Sequence, residues 1–327
     1  MVMSQVLYTC LRQSRPGVVI DVLAPAWSGP ILERMPEVNR AITMPLGHGE
    51  LGLATRWRLG RELSSEGYGQ AILLPNSLKS ALVPFFARIP RRTGWRGELR
   101  YGLLNDLRVL DEAALPLMVQ RFAALGGDAQ APLPRALPDP SLQVDTVAVR
   151  QCADRFGLAG DRPILALCPG AEFGMAKCWP PQYYGELARH YLDSGWQVAL
   201  YGSANDGVIC AQISESTGGH PLCHNLAGQT SLAEAVDLLS LSAAVVSNDS
   251  GLMHIAAALQ RPLLAIYGAT SPGFTPPLSP VSGLLVSDLD CAPCFQRECP
   301  LGHHRCMRDM APRKVLARLE ALMAEHG

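Results

Sequence analysis

The sequence contains no run of apolar residues close to the roughly 20 that a helix needs to cross a lipid bilayer. Its first residues also lack a basic segment followed by an apolar one, which is the pattern of a secretory signal peptide. The formal net charge is −1 with 17% charged residues, so no excess of positive charge points to nucleic acid. These absences predict a globular protein of the cytoplasm with no nucleic-acid partner.

Two glycine-rich signatures of nucleotide binding are missing from the second half of the chain. No Gly-x-Gly-x-x-Gly follows a predicted strand there, which argues against a Rossmann-type oxidoreductase that uses NAD. No Gly-Lys-Ser or Gly-Lys-Thr loop is present either, which argues against a P-loop NTPase.

The length and composition of the chain allow two domains with substantial buried cores, since hydrophobic residues make up 48% of its 327 residues. Residues 126–145 are rich in Gly, Pro and Ala, the composition of a linker. We therefore expect an N-terminal domain over residues 1–140 and a C-terminal domain over residues 141–327.

Short apolar runs alternate with helical patterns in both halves, which predicts an α/β fold of parallel sheets covered on both faces. The predicted strands are 18–23, 41–44, 70–74, 164–168, 197–201, 244–247 and 263–267. The main predicted helices are 2–14, 56–65, 81–88, 181–194, 205–217, 231–241, 251–259 and 312–325. The chain opens on a helix where such domains usually open on a strand, so either the fold is a variant or the natural start lies upstream.

The predicted strand 244–247 turns on small polar residues and continues as an alanine-rich helix. Asp249 or Ser250 is placed to cap that helix by accepting a hydrogen bond from a first-turn N–H group. The free N–H groups and the helix dipole make such a turn a ready anion site, although plain capping explains the same residues.

Small or glycine-rich turns follow each predicted strand of the second half, at 169–171, 202–204, 248–251 and 268–271. Because the carboxyl ends of parallel strands share one edge of a sheet, we expect these turns to converge on one crevice. Lys177 lies in the loop after the first of these strands, where it either neutralises a diphosphate or is an ordinary surface lysine.

A basic run covers residues 88–108, with six arginines against two acidic residues. Such a run is usually a solvated surface, but arginine also binds phosphate and carboxylate bidentately. The residues alone leave both interpretations open, a basic surface and a site for an anionic acceptor.

Six motifs together resemble the ADP-heptose:lipopolysaccharide heptosyltransferases, and among them the type II enzymes. They lie at 44–49, 74–81, 92–97, 169–174, 176–180 and 248–254, so the similarity runs over nearly the whole chain. The resemblance implies a GT-B architecture, with two Rossmann-like doubly wound domains that face a central cleft. It also implies that the C-terminal half binds the nucleotide-sugar donor and the N-terminal half binds the acceptor.

The activity implied by the resemblance is an inverting transfer of L-glycero-D-manno-heptose. The donor is ADP-heptose, and the acceptor is the first heptose of the lipopolysaccharide inner core, carried on heptosyl-Kdo2-lipid A. No cofactor is required for this reaction. The lipid-linked acceptor implies peripheral contact with the inner face of the inner membrane.

The site residues implied by the resemblance fall into three groups. The catalytic candidates are Lys177, Asp249 and His254. The donor-binding candidates are Gly170, Glu172, Lys177, Gly202, Ser203, Thr230, Asp249, Ser250, Gly251 and Leu252. The acceptor-binding candidates are Asn76, Lys79, Arg92 and Arg96. Lys177 and the amides of residues 250–252 would neutralise the departing diphosphate, with Asp249 as the helix cap or as an acceptor from a sugar hydroxyl.

The chain departs from the family pattern at its start and at Cys178, where the family often has a basic residue. Family members open with a strand and an acidic loop, and the acidic residue of that loop is the expected catalytic base. We therefore expect this chain to be nearly inactive but still able to bind an ADP-sugar. A different nucleotide-sugar glycosyltransferase is the other alternative.

Four cysteines cluster near the end of the chain as Cys291-x2-Cys294-x4-Cys299-x6-Cys306. Four thiolates within sixteen residues can satisfy the tetrahedral coordination of zinc, so a structural zinc site is one prediction. Free thiols are the next alternative, and a disulfide is disfavoured in the cytoplasm. The nearby Arg297, Arg305 and Arg308 suggest contact with an anionic ligand as a further alternative.

Overall fold

The computed structural model describes residues 1–129 and 131–326. The chain divides into two compact units, Met3–Pro138 and Asp139–Gly327. The division lies inside the segment of linker composition, close to the boundary expected from the sequence. No helix in the described ranges is both long and apolar enough to cross a membrane.

The N-terminal unit contains two parallel sheets. The first sheet pairs β1 (Asp21–Pro25) with β2 (Arg40–Met44). The second consists, in this order, of β3 (Gln70–Leu73), β4 (Arg91–Trp95) and β5 (Asp106–Arg108). The helices are α1 (Gln5–Ser14), α2 (Gly29–Leu32), α3 (Leu53–Leu63), α4 (Leu82–Phe86) and α5 (Met118–Gly126). Short 3-10 helices cover Val2–Ser4, Ala26–Ser28 and Leu78–Ala81.

Several predicted elements of the N-terminal unit need correction. Sequence patterns do not predict β4, because it begins with two half-buried arginines and so lacks an apolar run. The strand predicted at 18–23 begins three residues further along the chain, as β1 (Asp21–Pro25), and Val19 is exposed. The predicted helix 81–88 is reduced to α4, because Arg88 takes a left-handed conformation with φ +55° just before Ile89 and a proline.

The C-terminal unit is built on one sheet of six parallel strands. The strands are β6 (Ile164–Cys168), β7 (Gln197–Leu200), β8 (Cys223–Asn225), β9 (Ala244–Asn248), β10 (Leu263–Tyr267) and β11 (Ser282–Val286). Their order across the sheet is β11-β10-β9-β6-β7-β8. The helices are α6 (Thr146–Arg155), α7 (Pro181–Asp193), α8 (Gly207–Ser216), α9 (Leu232–Leu239), α10 (Gly251–Ala258), α11 (Arg305–Arg308) and α12 (Pro312–His326). Short 3-10 helices cover Met175–Lys177 and Ala204–Asp206.

The four central strands of this sheet, β6, β7, β9 and β10, are buried along their whole length. Strands covered on both faces become continuous apolar runs, which is why the sequence predicts all four correctly. The two edge strands are not predicted from the sequence. Strand β8 has only three residues, two of them polar, and β11 alternates between buried and exposed positions. Helices α7, α8, α9, α10 and α12 confirm the helices predicted for this half.

Candidate active site

The strand order of the C-terminal sheet reverses next to its central strand, β6. From β6 the chain builds outward through β7 and β8, then returns to β9 on the other side of β6. An open parallel sheet has a crevice at the carboxyl ends of its strands at such a reversal, and ligands commonly bind there. The loops that follow β6 and β9 border this crevice, and they carry the residues described next.

Lys177 and Asp249 form an ion pair at the crevice. The Lys177 Nζ lies 2.7 Å from Asp249 Oδ2, and the two side chains are only 13% and 8% exposed. The Nζ atom also lies 4.9 Å from the centre of the Phe173 ring, within cation–π range. A lysine held in this way is not the ordinary surface lysine that was the alternative at the sequence level.

Thr270 supplies a third member of this group. Its hydroxyl donates a 2.7 Å hydrogen bond to the same Oδ2 of Asp249 that binds Lys177. Thr270 belongs to the loop that follows β10, so three loops of the sheet meet at one carboxylate. The turn 268–271 is predicted to converge on the crevice, but no sequence signal distinguishes Thr270 from its neighbours.

The cap of helix α10 is Ser250 and not Asp249. The Ser250 hydroxyl accepts from the N–H of Met253 at 3.4 Å, whereas the Asp249 carboxylate is directed to Lys177 and Thr270. The prediction that Asp249 caps the turn is therefore wrong, and the alternative cap is confirmed. The amides of Gly251 and Leu252 open the helix, where its dipole places partial positive charge.

Asn248 fixes the loop after β6 to the end of β9. Its side-chain Oδ1 accepts from the N–H of Trp179 at 3.1 Å and from the hydroxyl of Tyr184 at 3.0 Å. Its Nδ2 donates to the carbonyl of Pro169 at 2.5 Å. The side chain is fully buried, so each of these hydrogen bonds is costly to lose. Sequence reasoning treats Asn248 only as part of a polar turn and misses this bracing role.

His254 lies one turn into helix α10 and is half-buried. Burial lowers the pKa of its imidazole to about 4, and the charge of Lys177 acts in the same direction while Asp249 opposes it. The side chain is therefore neutral near pH 7. It can donate or accept a hydrogen bond, but it brings no positive charge to a phosphate.

Two glycine turns of the predicted donor site pack against Asp206. A Cβ atom at Gly202 would lie 2.7 Å from Asp206 Cβ, and one at Gly170 would overlap the Asp206 carboxylate. That carboxylate accepts from both the N–H and the hydroxyl of Ser203, at 2.8 Å each. Glycine is therefore required at both turns by close packing.

The remaining donor candidates also lie on loops of this sheet. Glu172 is exposed in the loop after β6, and Thr230 is half-buried between β8 and α9. Because every donor candidate follows the carboxyl end of one of four strands, or opens the helix after it, the structure brings them to one edge of the sheet.

The acceptor candidates belong to the N-terminal unit and differ in their surroundings. Arg92 is half-buried and donates to the carbonyls of Leu103 and Ile89, at 2.6 Å each. Arg96 is exposed, and Lys79 is half-buried. Asn76 Oδ1 accepts from the guanidinium of the buried Arg100 at 3.3 Å.

The basic run 88–108 matches neither interpretation along its whole length. Arg100 and Arg108 are buried, where they support loops. Arg100 donates to the carbonyl of Pro75 at 2.8 Å, and Arg108 pairs with Asp106 at 3.0 Å. These two arginines are therefore structural, and sequence counting could not separate them from exposed members such as Arg96.

A Gly-x-Gly-x-x-Gly pattern is present in the N-terminal unit. Residues 47–52 read Gly-x-Gly-x-x-Gly between β2 and α3, outside the half in which that signature is missing. The buried Arg56 fastens this loop by donating to the carbonyl of Leu51 at 2.6 Å and that of Glu50 at 3.2 Å. A Cβ at Gly52 would contact the side chain of Leu46, so the loop is closely packed.

The four clustered cysteines lie around one small cavity, together with His303. All ten cysteines of the chain are free thiols in the described residues. Within the same residues, no three or more His, Cys, Asp or Glu side chains are arranged to hold a metal ion as they stand. The disulfide alternative is therefore not seen, while the predicted zinc ligands are gathered around a cavity but not closed around an ion.

Comparison with known proteins identifies close relatives along the whole chain. A family model described as glycosyltransferase family 9 (heptosyltransferase) matches residues 56–305. Lipopolysaccharide heptosyltransferase 2 of Salmonella typhimurium is 49% identical over 337 residues, which cover 100% of this chain and 96% of that protein. The protein of the same name from Escherichia coli K12 is 49% identical, with 99% of this chain and 95% of that protein covered.

Solved structures support the same relationship. The structure of E. coli ADP-heptose lps heptosyltransferase II matches with a TM-score of 0.87 and 47% identity, over 99% of this chain and 95% of that one. A family 9 glycosyltransferase from Veillonella parvula matches with a TM-score of 0.86 at 16% identity, covers 99% of this chain and 94% of that one, and shows the fold alone. The GT-B fold predicted from the sequence is thereby confirmed, and an NAD oxidoreductase is not supported.

Proposed function

The chain belongs to glycosyltransferase family 9, the heptosyltransferase family, and on this premise we propose that it moves L-glycero-D-manno-heptose from ADP-heptose to the first heptose of the lipopolysaccharide inner core. The names of relatives at 49% identity along the full chain support this choice of reaction. The observation that carries the proposal is the Lys177–Asp249 pair beside the N-terminus of helix α10, at the strand reversal of the sheet.

In the proposed reaction, an acceptor hydroxyl attacks the anomeric carbon of heptose on the face opposite the diphosphate. The bond from that carbon to the β-phosphate oxygen breaks, its electron pair leaves with ADP, and the configuration inverts. The hydroxyl proton passes to a general base. Negative charge grows on the diphosphate as the bond breaks, so fixed positive charge at that point accelerates the reaction.

Lys177 and the first-turn amides of helix α10 are the groups proposed to receive that charge. Asp249 holds the ammonium group in place, and Thr270 holds Asp249. A preorganised lysine needs little rearrangement when the transition state forms. His254, being neutral, is proposed to contribute hydrogen bonding only.

Enzymes of this family typically need no cofactor. We propose that Lys177 and helix α10 take the place that a metal ion has in other nucleotide-sugar transferases. The donor is assigned to the C-terminal unit and the acceptor to the N-terminal unit, where Arg96 and Lys79 are the candidates least committed to internal hydrogen bonds.

The proposed acceptor is linked to lipid, so the enzyme is proposed to work in the cytoplasm at the inner face of the inner membrane. An exposed surface of the N-terminal unit suits such peripheral contact: Trp57 and Phe85 are 54% and 40% exposed, beside Arg61, Arg88 and Arg92. Aromatic rings and arginines favour the headgroup region of anionic membranes. Co-sedimentation with anionic vesicles, but not with neutral ones, and its loss in Arg61→Glu/Arg88→Glu would support this contact.

The reaction is tested by incubating the full chain with ADP-heptose and purified heptosyl-Kdo2-lipid A. Mass spectrometry should show the addition of one heptose, with ADP released in equal amount. UDP-glucose offered under the same conditions should give no product, which separates this proposal from another nucleotide-sugar transferase. Tight ADP-heptose binding without any product would support the alternative of an impaired, donor-binding form.

A further inference from the structure

The four cysteines near the end of the chain line a single cavity of the C-terminal unit. Its volume is about 20 Å³, room for about one water-sized particle. Among its lining residues are Cys291, Cys294, Cys299, Cys306, Ala176 and Ala269. Residues 291–306 are called the cysteine segment below. Nothing in the proposed transfer reaction uses these thiols, so they require a separate explanation.

Cys299 begins a tight turn of the cysteine segment, in which the N–H of Gly302 donates to the carbonyl of Cys299 at 3.0 Å. His304 adopts a left-handed conformation with φ 51°, which closes the turn. The turn leaves Cys299 in the lining of the cavity, beside Leu301 and His303.

Cys306 reaches the same cavity from helix α11, while the other three cysteines precede that helix. Thiolates that share one cavity repel each other unless a cation lies between them. Four thiolates are also a ligand set that closes a tetrahedral structural zinc site.

We propose that Cys291, Cys294, Cys299 and Cys306 bind one zinc ion as a tetrahedral structural site. The side chains as they stand do not form a metal-holding group within residues 1–129 and 131–326. Binding therefore draws the four sulfurs inward around the cavity, to Zn–S distances of about 2.3 Å. Four protein ligands fill the coordination shell, so the ion has no open position for chemistry.

The cysteine segment also packs against the loop that carries Lys177. The N–H of Ala176 donates to the carbonyl of Arg297 at 3.0 Å. A Cβ at Gly174 would lie 2.8 Å from Arg297 Cα, so the two backbones are in close contact. The guanidinium of Arg297 lies 5.7 Å from the Phe173 ring that also faces Lys177.

The same segment contacts the loop that carries Thr270. The N–H of Phe295 donates to the carbonyl of Ala269 at 2.8 Å. Ala269 directly precedes Thr270, and Ala176 directly precedes Lys177. The cysteine segment therefore supports both residues that bind the Asp249 carboxylate. A metal ion that orders the segment thereby makes it a positioning element for the pair. Metal binding does not depend on the proposed function. Only an effect of the metal on turnover would depend on it.

Metal content tests the site directly. The full chain, purified without chelator under reducing conditions, should contain about one zinc per chain by mass spectrometry of its elements. Exchange for Co²⁺ should give the intense visible bands of tetrahedral thiolate coordination. Cys294→Ser and Cys299→Ser should each lose at least 90% of the metal. Cys10→Ser, which changes a half-buried cysteine of the N-terminal unit, should keep it.

Several results would overturn the assignment. Metal-free protein from zinc-supplemented cells, with the four thiols of the cysteine segment alkylated under native conditions, would show that the cluster is a set of free thiols. A disulfide within the cluster in protein kept reduced during purification would also rule the site out. Iron in place of zinc would overturn the choice of metal.

The link to the Lys177 loop is tested by hydrogen exchange in wild-type protein stripped with a chelator, which avoids a variant that fails to fold. Amides of residues 174–178 should exchange at least 10-fold faster after stripping and recover when zinc is restored. The amides of β7, which lies on the side of β6 opposite to β9, should exchange at the same rate with and without metal. Equal exchange in the 174–178 loop with and without metal would overturn the positioning role.

Discussion

Lys177 and Asp249 are 72 residues apart in the sequence, yet their charged groups meet at 2.7 Å at the carboxyl edge of one sheet. The contact exists because β6 and β9 are neighbours at the strand reversal, so the loops that follow them share the crevice. The pair has two opposed effects on an anionic ligand. Asp249 fixes the ammonium group at the crevice where the diphosphate is proposed to bind, and it also neutralises part of the positive charge that would attract the diphosphate.

Lys177→Ala should lower kcat far more than it raises the KM for ADP-heptose. Charge builds on the diphosphate as the glycosidic bond breaks, so the lysine matters most in the transition state. Removing one such preorganised group typically costs about 10²–10³-fold in kcat. Steady-state kinetics with saturating acceptor measures both constants.

The chain offers a matched control, because Lys314 is exposed on helix α12. Lys314→Ala should leave both constants within about 2-fold of the wild type, the effect expected of an isolated surface change. An unchanged kcat with only a raised KM in Lys177→Ala would mean that the lysine binds the donor without assisting bond cleavage.

Thr270→Val should reduce both stability and turnover, because Asp249 loses a buried 2.7 Å hydrogen bond. A hydrogen bond to a charged group contributes about 1.5–3 kcal/mol. We expect a lower melting temperature and a kcat reduced by about 3- to 30-fold, through the less firmly held Lys177. Thr270→Ser retains the hydroxyl and should recover most of the turnover. If both variants lose turnover equally, the hydroxyl is not what positions Asp249.

The sheet of the C-terminal unit could be predicted from sequence because burial on both faces leaves a simple pattern. Residues 164–168 and 263–267 are continuous apolar runs, and each is an almost fully buried strand. Strand β4 could not be predicted this way, because it begins with two half-buried arginines: Arg91 pairs with the Asp106 carboxylate, and Arg92 donates to the carbonyls of Leu103 and Ile89. Apolar patterning detects burial of whole side chains and misses partial burial.

The candidate site could be predicted only where a loop motif marks a residue. Lys177 and Asp249 are recognisable from their motifs, but the sequence does not show that they bind each other. Thr270 acts through one hydrogen bond to Asp249 and Asn248 through three, and these bonds depend on which loops become neighbours. That information lies in the strand order, which one sequence without an alignment does not contain.

Arg96→Ala should raise the KM for the lipid-linked acceptor without changing the KM for ADP-heptose. The side chain is exposed, so its removal should leave the melting temperature within about 1 °C, as expected for surface changes. Loss of one arginine–phosphate contact should weaken acceptor binding by about 10-fold or more. Kinetics with each substrate varied in turn measures this difference.

Arg92→Ala is the informative comparison for Arg96→Ala. Arg92 donates to the carbonyls of Leu103 and Ile89, so its loss should lower the melting temperature whether or not it contacts the acceptor. A raised KM for ADP-heptose in Arg96→Ala would contradict the assignment of the acceptor to the N-terminal unit.

His254 should make the stability of the protein depend on pH between about 4 and 6.5. Its pKa is about 4 in the folded protein and 6.5 in its ordinary state, because burial disfavours the charged imidazole. Over this window the unfolded chain binds a proton that the folded chain does not. The free energy of unfolding therefore falls as the pH drops from 6.5 toward 4, and the contribution is fully present only above 6.5. At about 1.4 kcal/mol per pKa unit, the loss attributable to His254 is about 3 kcal/mol.

His254→Gln keeps a polar side chain of similar length but does not titrate, so its unfolding free energy should fall less steeply over the same window. Urea denaturation at pH 7.0, 6.0, 5.0 and 4.5 (roughly spanning the window) measures the slope for wild type and variant. His326→Gln changes an exposed histidine at the end of helix α12 and should retain the wild-type slope. Equal slopes for wild type and His254→Gln would show that the imidazole is not held neutral by burial. A proton on it near pH 7 would then allow His254 to pair with the diphosphate, which the proposed mechanism does not include.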